Sequence, residues 1–318
     1  MTISRFSFGW SGASIMALFN VAACTGWSAV NAIVGGQLVA AVTGGTIGRP
    51  VAILAIAVIT TIFGMYGYKH VHRYARYAWI PAAIIFVMLM IVVGPKVTII
   101  PTPAFGVAEI ASFVSFGGAI YGFSTGWSSY AADYSVRQPQ RTPTSRVFWY
   151  TFLGIVVPCI ILEIFGMALT TAFKSASGGD LLAAAAQPLG GIGSFLLIIL
   201  ALSIVANNIP NAYSIGLSMQ VLSKTCERVG RITWTLFGAV FYMLIAIPAV
   251  SDFNNTLSNF LLIIAYWLGP WSIILIEEHF LFRRGRYNVD DWDNRARLPV
   301  GWAALVAICL LYTSDAAD

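Results

Sequence analysis

The chain has 318 residues, 58% of them hydrophobic and 10% charged, with a mean hydropathy of +0.79 and a formal net charge of +5. A water-soluble domain carries about 25% charged residues, so this composition excludes a soluble globular protein. Apolar runs of about 20 residues, the length a helix needs to cross a bilayer, recur from end to end; the chain reads as an all-α, polytopic transmembrane helical bundle set in lipid, and its basic excess as a topology signal rather than a nucleic-acid footprint.

Nine apolar segments follow one another, at roughly 10–40, 50–68, 77–95, 110–132, 147–173, 190–222, 232–250, 256–280 and 300–312. The connections between them are short, and none has the length of a soluble catalytic domain. The last segment is only about 13 residues long and runs into a polar tail, TSDAAD, while the chain opens on its first segment after the leader MTISRFSFG. Both ends read as cut, so the expectation is one transmembrane domain over 1–318 that is a fragment of a longer transporter, with a tail that need not be native.

Lysine and arginine alternate between the connections. One set carries Arg5; Lys69, Arg73 and Arg76; Arg137, Arg141 and Arg146; Lys224, Arg228 and Arg231; and Arg283, Arg284, Arg286, Arg295 and Arg297. The other carries only Arg49, Lys96 and Lys174. Cytoplasmic loops are the Lys/Arg-rich ones, so the first set is placed in the cytoplasm.

The residue types that build enzymes are missing as constellations. Cys24, Cys159, Cys226 and Cys309 are scattered without pairing or ligand spacing and read as small apolar helix residues. His70, His72 and His279 sit at cytoplasmic span ends beside basic residues and read as interfacial groups. No metal-ligand spacing and no phosphate-cradling loop stands out, so the chain is read as not an enzyme, without a cofactor or a metal.

Three segments break the apolar rule in an ordered way. The first contains NVAACTGWSAVNAIVGGQ, where Asn20, Cys24, Trp27 and Asn31 stand at steps of four, three and four, on one helix face. Trp27 and Asn31 are one turn apart and offer a flat ring beside a donor–acceptor amide. Gly35 and Gly36 permit close approach of another helix. The fourth segment reads FVSFGGAIYGFSTGWSSYAAD, with Gly117, Gly118, Gly122 and Gly126 in close succession and Trp127 directly after them. Such a run is either a tight-packing face or an unwound stretch; unwound backbone at membrane depth is tolerated only where it lines a buried cavity, as in the broken helices of secondary transporters. The neighbouring spans favour the unwound reading.

The sixth segment holds SIVANNIPNAYSIGLS. Ser203, Asn207, Asn211, Ser214 and Ser218 fall at steps of four, four, three and four, again one face. Pro210 lies within the stripe, frees the carbonyl four residues back and is expected to kink the helix. Two amide faces and a tryptophan, converging, would form a small aromatic-walled cavity for a flat, polar, uncharged heterocycle. Bases stack on aromatic rings for about 1–3 kcal/mol each, and an asparagine matches adjacent donor and acceptor atoms on a ring edge. Glu163, in CIILEIFG, is the only acid well inside a segment and is a candidate for proton coupling; Asp133, at the end of the fourth segment, is a second candidate or a gate.

The pieces RFSFGWSG, TGWSAVNAIVGGQ, FGGAIYGFSTGWSSYAADYS, NNIPNAYSIGLSMQ and EEHFLFRRG, spread over residues 5–285, resemble the purine–cytosine permease branch of the nucleobase–cation symporter family, particularly its fungal members. The resemblance implies a twelve-span transporter with ten spans in a five-plus-five inverted repeat, of which this chain covers the third to a truncated eleventh and lacks the first two. It implies that Trp27, Asn31, Trp127, Asn207 and Asn211 touch the substrate, with Gly118, Gly122, Gly126 and Pro210 shaping the site. It implies import of purine bases (adenine, guanine, hypoxanthine) and cytosine by alternating access, coupled to a proton or else to sodium, across the plasma membrane. Other small heterocycles (uracil, allantoin, a pyridoxine-type vitamin) are the alternative cargo; a non-transporting receptor or truncated product is the alternative role.

Overall fold

In the computed structural model, residues 1–65, 68–99, 106–135, 138–139 and 141–314 are described, without the side chains of 2, 68–75, 130, 134 and 311–314. Arg137, the side chains of Lys69, His70, His72 and Arg73, and tail residues 315–318 therefore lie outside the described residues. In lipid every backbone N–H and C=O must be bonded within the segment, which leaves the helix as the form for long apolar runs. The described residues form twelve α-helices and no strand: α1 (Arg5–Val42), α2 (Arg49–Met65), α3 (Tyr68–Val93), α4 (Val107–Thr125), α5 (Ala131–Ser135), α6 (Thr144–Ala172), α7 (Gly179–Ala186), α8 (Gly190–Val221), α9 (Lys224–Arg228), α10 (Arg231–Ala249), α11 (Phe253–Glu277) and α12 (Trp302–Ser314).

Six stretches among the described residues are long and apolar enough to cross a membrane. The last of them, Arg231–Phe282, contains both α10 and α11, parted where Asp252 leaves helical geometry (φ −133°, ψ 56°). α2, at 17 residues, and α12, at 13, are apolar but shorter. A helix thus lies on each of the nine apolar segments.

α1 and α8 form the centre and run antiparallel, since Asn20 bonds Ser218 while Asn31 bonds Asn207. On one side α2 and α10 cover them, joining Ile53, Ile56, Ala57, Tyr242 and Ala246 to Ala29, Ala32, Ile33 and Val205. On the other, α11 and α12 pack on the first half of α1 through Phe8, Met16, Ala23, Ile264 and Leu268. α3 and α7 close one end of the bundle around Leu38, Leu89, Leu169, Leu197 and Leu200. Gly36 lets α2 approach, because a Cβ there would lie 2.9 Å from the Ile53 nitrogen. α4 leans on α11, and α6 touches α3 and α7. α4 and α6 turn Phe113, Val114, Ile160, Ile161 and Ile164 outward, the apolar surface that lipid or a further span covers.

α1 is not one straight rod. Gly9 adopts φ 65°, ψ −169°, so the turn Arg5–Phe8 leaves the axis of the rest. Only glycine takes that φ without strain. A Cβ on Gly9 would collide with the Pro299 carbonyl oxygen, and one on Gly301 (φ 82°) with that of Phe8. The start of α1 and the entry to α12 therefore cross backbone to backbone at a single point.

The charges sort to the two ends of the bundle. At one end Arg5 is held by Asp293 (3.3 Å) between the rings of Trp10 and Trp292, Arg283 by Glu278 (2.5 Å), and Arg231 donates to the carbonyls of Gly64 and Met65 at the end of α2. At the other, Arg49 pairs with Asp180 (2.7 Å) and Lys96 lies over Phe173.

Candidate functional site

Midway along the central helix pair, Asn207 Nδ2 on α8 donates to Asn31 Oδ1 on α1 at 3.0 Å. Asn31 is half-buried and Asn207 exposed. The two amides that stand a turn or more into separate faces in the sequence are thus one pair across a helix interface. From there the polar stripe of α8 continues toward the arginine-rich end and becomes buried. Asn211 Nδ2 donates to Asn208 Oδ1 at 3.3 Å, and Asn208 Nδ2 to the Ser28 carbonyl at 3.4 Å. Ser214 donates to Asp133 Oδ2 at 2.7 Å, and Asn20 Nδ2 to Ser218 Oγ at 2.8 Å. Ser203, above the pair, donates to the Leu200 carbonyl one turn back in its own helix. α8 continues through Pro210 as one helix from Gly190 to Val221, held between α1, α2 and α10, so the proline does not end it.

One turn from Asn31, Trp27 is the meeting point of three helices. Its ring stands edge-to-face to Phe123 of α4 (centroids 5.7 Å, 71°) and to Phe260 of α11 (5.3 Å, 80°). The Phe260 ring occupies the space that a side chain at residue 26 would need, and Gly126 approaches the indole so closely that a Cβ would lie 3.2 Å from Nε1. The glycine-rich stretch before it is not unwound. α4 stays helical through Gly117, Gly118 and Gly122 to Thr125, then tightens into the 3-10 turn Gly126–Tyr130 ahead of α5. The reason is packing: a Cβ on Gly122 would collide with the Leu261 carbonyl oxygen, so this glycine lets α4 and α11 touch backbone to backbone. A helix keeps its own hydrogen bonds while doing so, which costs less in lipid than unwinding. Gly117 faces open space, and Gly118 only nears Leu262.

Trp127, half-buried, packs on the cluster of Cys24 and Ile215 with Val21 and Met219, about two turns from the amide pair toward the arginine-rich end. Asp133 joins the same region through Ser214. Glu163 makes no hydrogen bond or ion pair among the described residues; α6 packs on α3 and α7, and its Cys159, one turn before Glu163, meets Ser124 of α4 at 4.0 Å. An open groove of about 530 Å³ between α4 and α11, lined by Ser112, Ser115, Phe116 and Ser258 among others, lies on the arginine-poor side of Phe123 and Phe260. No group of three or more His, Cys, Asp or Glu that could hold a metal occurs among the described residues.

Sequence reasoning passed over Asn208, Phe123 and Phe260. Asn208 carried a signal, since it stands three residues before Asn211 on the face toward α1. The two phenylalanines carried none, because their role comes from contacts across about 100 and 230 residues of chain.

The family described as permease for cytosine/purines, uracil, thiamine, allantoin matches residues 1–307. The chain is 45% identical to a purine–cytosine permease of Emericella nidulans over 96% of its own length and 63% of that protein's. It is 35% identical to a purine–cytosine permease of Saccharomyces cerevisiae, covering 97% and 61%, and 29% identical to a vitamin B6 transporter of the same yeast, covering 89% and 52%. The chain therefore spans about three-fifths of the length of the purine–cytosine permeases it matches. In fold it is similar to a nucleobase-cation-symport-1 family transporter solved in a closed conformation with bromovinylhydantoin bound: TM-score 0.71, 17% identity, 98% of this chain and 76% of that one. These relatives are permeases and transporters rather than enzymes, and with its six membrane-length stretches the chain is an integral, multi-pass membrane protein. On the match over nearly its whole length, the chain belongs to the cytosine/purine, uracil, thiamine and allantoin permease family.

Proposed function

We propose that the complete protein imports purine bases and cytosine by alternating access, driven by a proton, with the base held at Trp27, Asn31 and Asn207. The observation that carries this reading is the Asn31–Asn207 pair, one turn from an indole fixed by Phe123 and Phe260. The two amides share one hydrogen bond, which leaves the Asn31 amide N–H groups and the Asn207 amide oxygen open to a ligand. A ring edge with adjacent donor and acceptor atoms replaces that one bond by two. The indole adds stacking worth about 1–3 kcal/mol, and an analogue without the ring-edge atoms covers the two amides without bonding them and is rejected. Trp127 is the second stacking surface, on the arginine-rich side. Asn211, buried one turn below Asn207, supports the amide pair from behind. Asp133 is the first candidate for the coupling proton because it is bonded to the α8 stripe; Glu163, on α6, is the second, and sodium is the alternative ion. The likeness to a vitamin B6 transporter makes a pyridoxine-type cargo the second reading.

The test is uptake of radiolabelled hypoxanthine into transport-deficient cells expressing the complete reading frame, with unlabelled adenine, cytosine, uracil, allantoin and pyridoxine as competitors. Block by adenine and cytosine, and loss in Trp127→Ala, are expected. If protein that reaches the membrane takes up no hypoxanthine, the purine–cytosine assignment fails.

A further inference from the structure

On the side of α8 that faces α1 and α2, behind the amide pair, three buried oxygens have no partner among the described residues: Ser28 Oγ, Thr60 Oγ1 and Asn211 Oδ1. Ser28 and Thr60 are fully buried, and Asn211 is 4% exposed. They come from three helices and lie within about one helical turn of one another along the bundle. Asn208 bonds both Asn211 and the Ser28 carbonyl, which places α1 and α8 side by side there. α2 and α8 run the same way, and Gly64 meets Ala212, where a Cβ would lie 3.4 Å from that of the alanine. One turn back along both helices, Thr60 comes to the level of Asn208.

An unpaired polar group in such a place costs free energy unless a small ligand joins it. Hydrogen-bond arithmetic selects the ligand. The amide oxygen of Asn211 only accepts, whereas each hydroxyl both donates and accepts. One molecule that donates to Asn211 and exchanges bonds with Ser28 and Thr60 satisfies all three, and water has that valence. A sodium ion would place a full charge among three neutral oxygens, with the nearby Asp133 carboxylate already bonded to Ser214; burying a charge without an opposite one is far more costly. We propose a single ordered water, held by Ser28, Thr60 and Asn211, that ties α2 to the α1–α8 pair and fixes the Asn208–Asn211 step behind Asn207. This inference rests on the buried oxygens alone and stands apart from the choice of cargo.

The sign of one substitution tests it. Thr60→Val keeps the volume and removes a hydroxyl. If the hydroxyl is bonded to a shared water, the complete protein in detergent loses about 2 °C or more in Tm; Ser28→Ala does the same, and the double variant loses less than the two together, because one water serves both. A Tm that stays or rises in Thr60→Val means a dry, unpaired hydroxyl and overturns the proposal, as does strict additivity, which would mean two separate bonds. A wild-type Tm that climbs when sodium replaces choline, with the climb lost in Thr60→Val, would make the ligand a cation instead. Should either variant fail to fold, a structure of the wild type that resolves buried solvent decides: density within hydrogen-bond reach of all three oxygens is expected, and its absence there overturns the site.

Discussion

A carboxamide in hydrocarbon has to find a partner, and Asn31 and Asn207 find each other. Such a bond contributes little by itself, about 0.6 kcal/mol on average between membrane helices, so it is cheap to exchange for a substrate. Reading a base edge asks more of the same two side chains. With Asn207→Ala or Asn31→Ala, the bound ring is left with an unpaired edge in a buried site, a cost of about 1–3 kcal/mol. Each variant of the complete protein is expected to raise the inhibition constant for hypoxanthine roughly tenfold or more while surface expression stays near wild type. Because both amides serve one ring edge, the double variant should fall short of the product of the two. Competition uptake with all four versions measures this, and two independent effects of ordinary size would mean that the amides do not share a ligand. Spacing alone made these residues visible: four-residue steps place each on a helix face, and a polar face on an apolar helix has to be accounted for. Their bond to each other was not visible, because it depends on the register between two helices 176 residues apart in sequence.

At the scale of the element, apolar runs and turn residues mark where helices begin and end, since a segment in lipid can satisfy its backbone only within itself. How helices touch is less legible. Four glycines near the end of α4 read in the sequence as a broken helix more than as a flattened one, and contact with α11 decides for the flattened one. The space at each position separates the glycines that matter from those that do not. A Cβ on Gly122 would strike the Leu261 carbonyl oxygen, while Gly117 has nothing within 4 Å. Gly122→Ala is therefore expected to push α4 and α11 apart and to cut the yield of monodisperse protein several-fold. Gly117→Ala should be neutral or slightly stabilising, by up to about 1 kcal/mol, because alanine is the better helix former. Size-exclusion profiles of the two variants, run side by side, decide it; equal behaviour would mean that α4 does not rest on α11 through Gly122. Pro210 teaches the same lesson in reverse. Its ring breaks an isolated helix, yet α8, buried on three neighbours, carries it without leaving helical geometry.

For the molecule as a whole, the informative feature is how far the charges are kept apart. Fifteen of the eighteen lysines and arginines lie in alternate connections, and the contacts made by several of them gather at a single end of the bundle. Arg5 reaches Asp293 across almost the full length of the chain, Arg283 donates to the Phe6 carbonyl, and Arg231 caps α2. The opposite end has Arg49 with Asp180 and Lys96 over Phe173. Packing alone does not say which end faces the cytoplasm, since a bundle inverted in the membrane would have the same contacts. The positive-inside rule does say it, because basic loops are retained on the cytoplasmic side during insertion. Single cysteines placed in a cysteine-free version of the complete protein give the measurement. Arg228→Cys and Arg295→Cys should resist a membrane-impermeant maleimide in intact cells and react after permeabilisation, and Lys96→Cys and Lys174→Cys should react in both. The reverse pattern would turn the bundle over, and with it the direction from which Trp27 and the amide pair meet their ligand. A mixed pattern, with 228 and 295 on opposite sides, would show that α10 and α11 do not both cross, and that the stretch Arg231–Phe282 is not two spans.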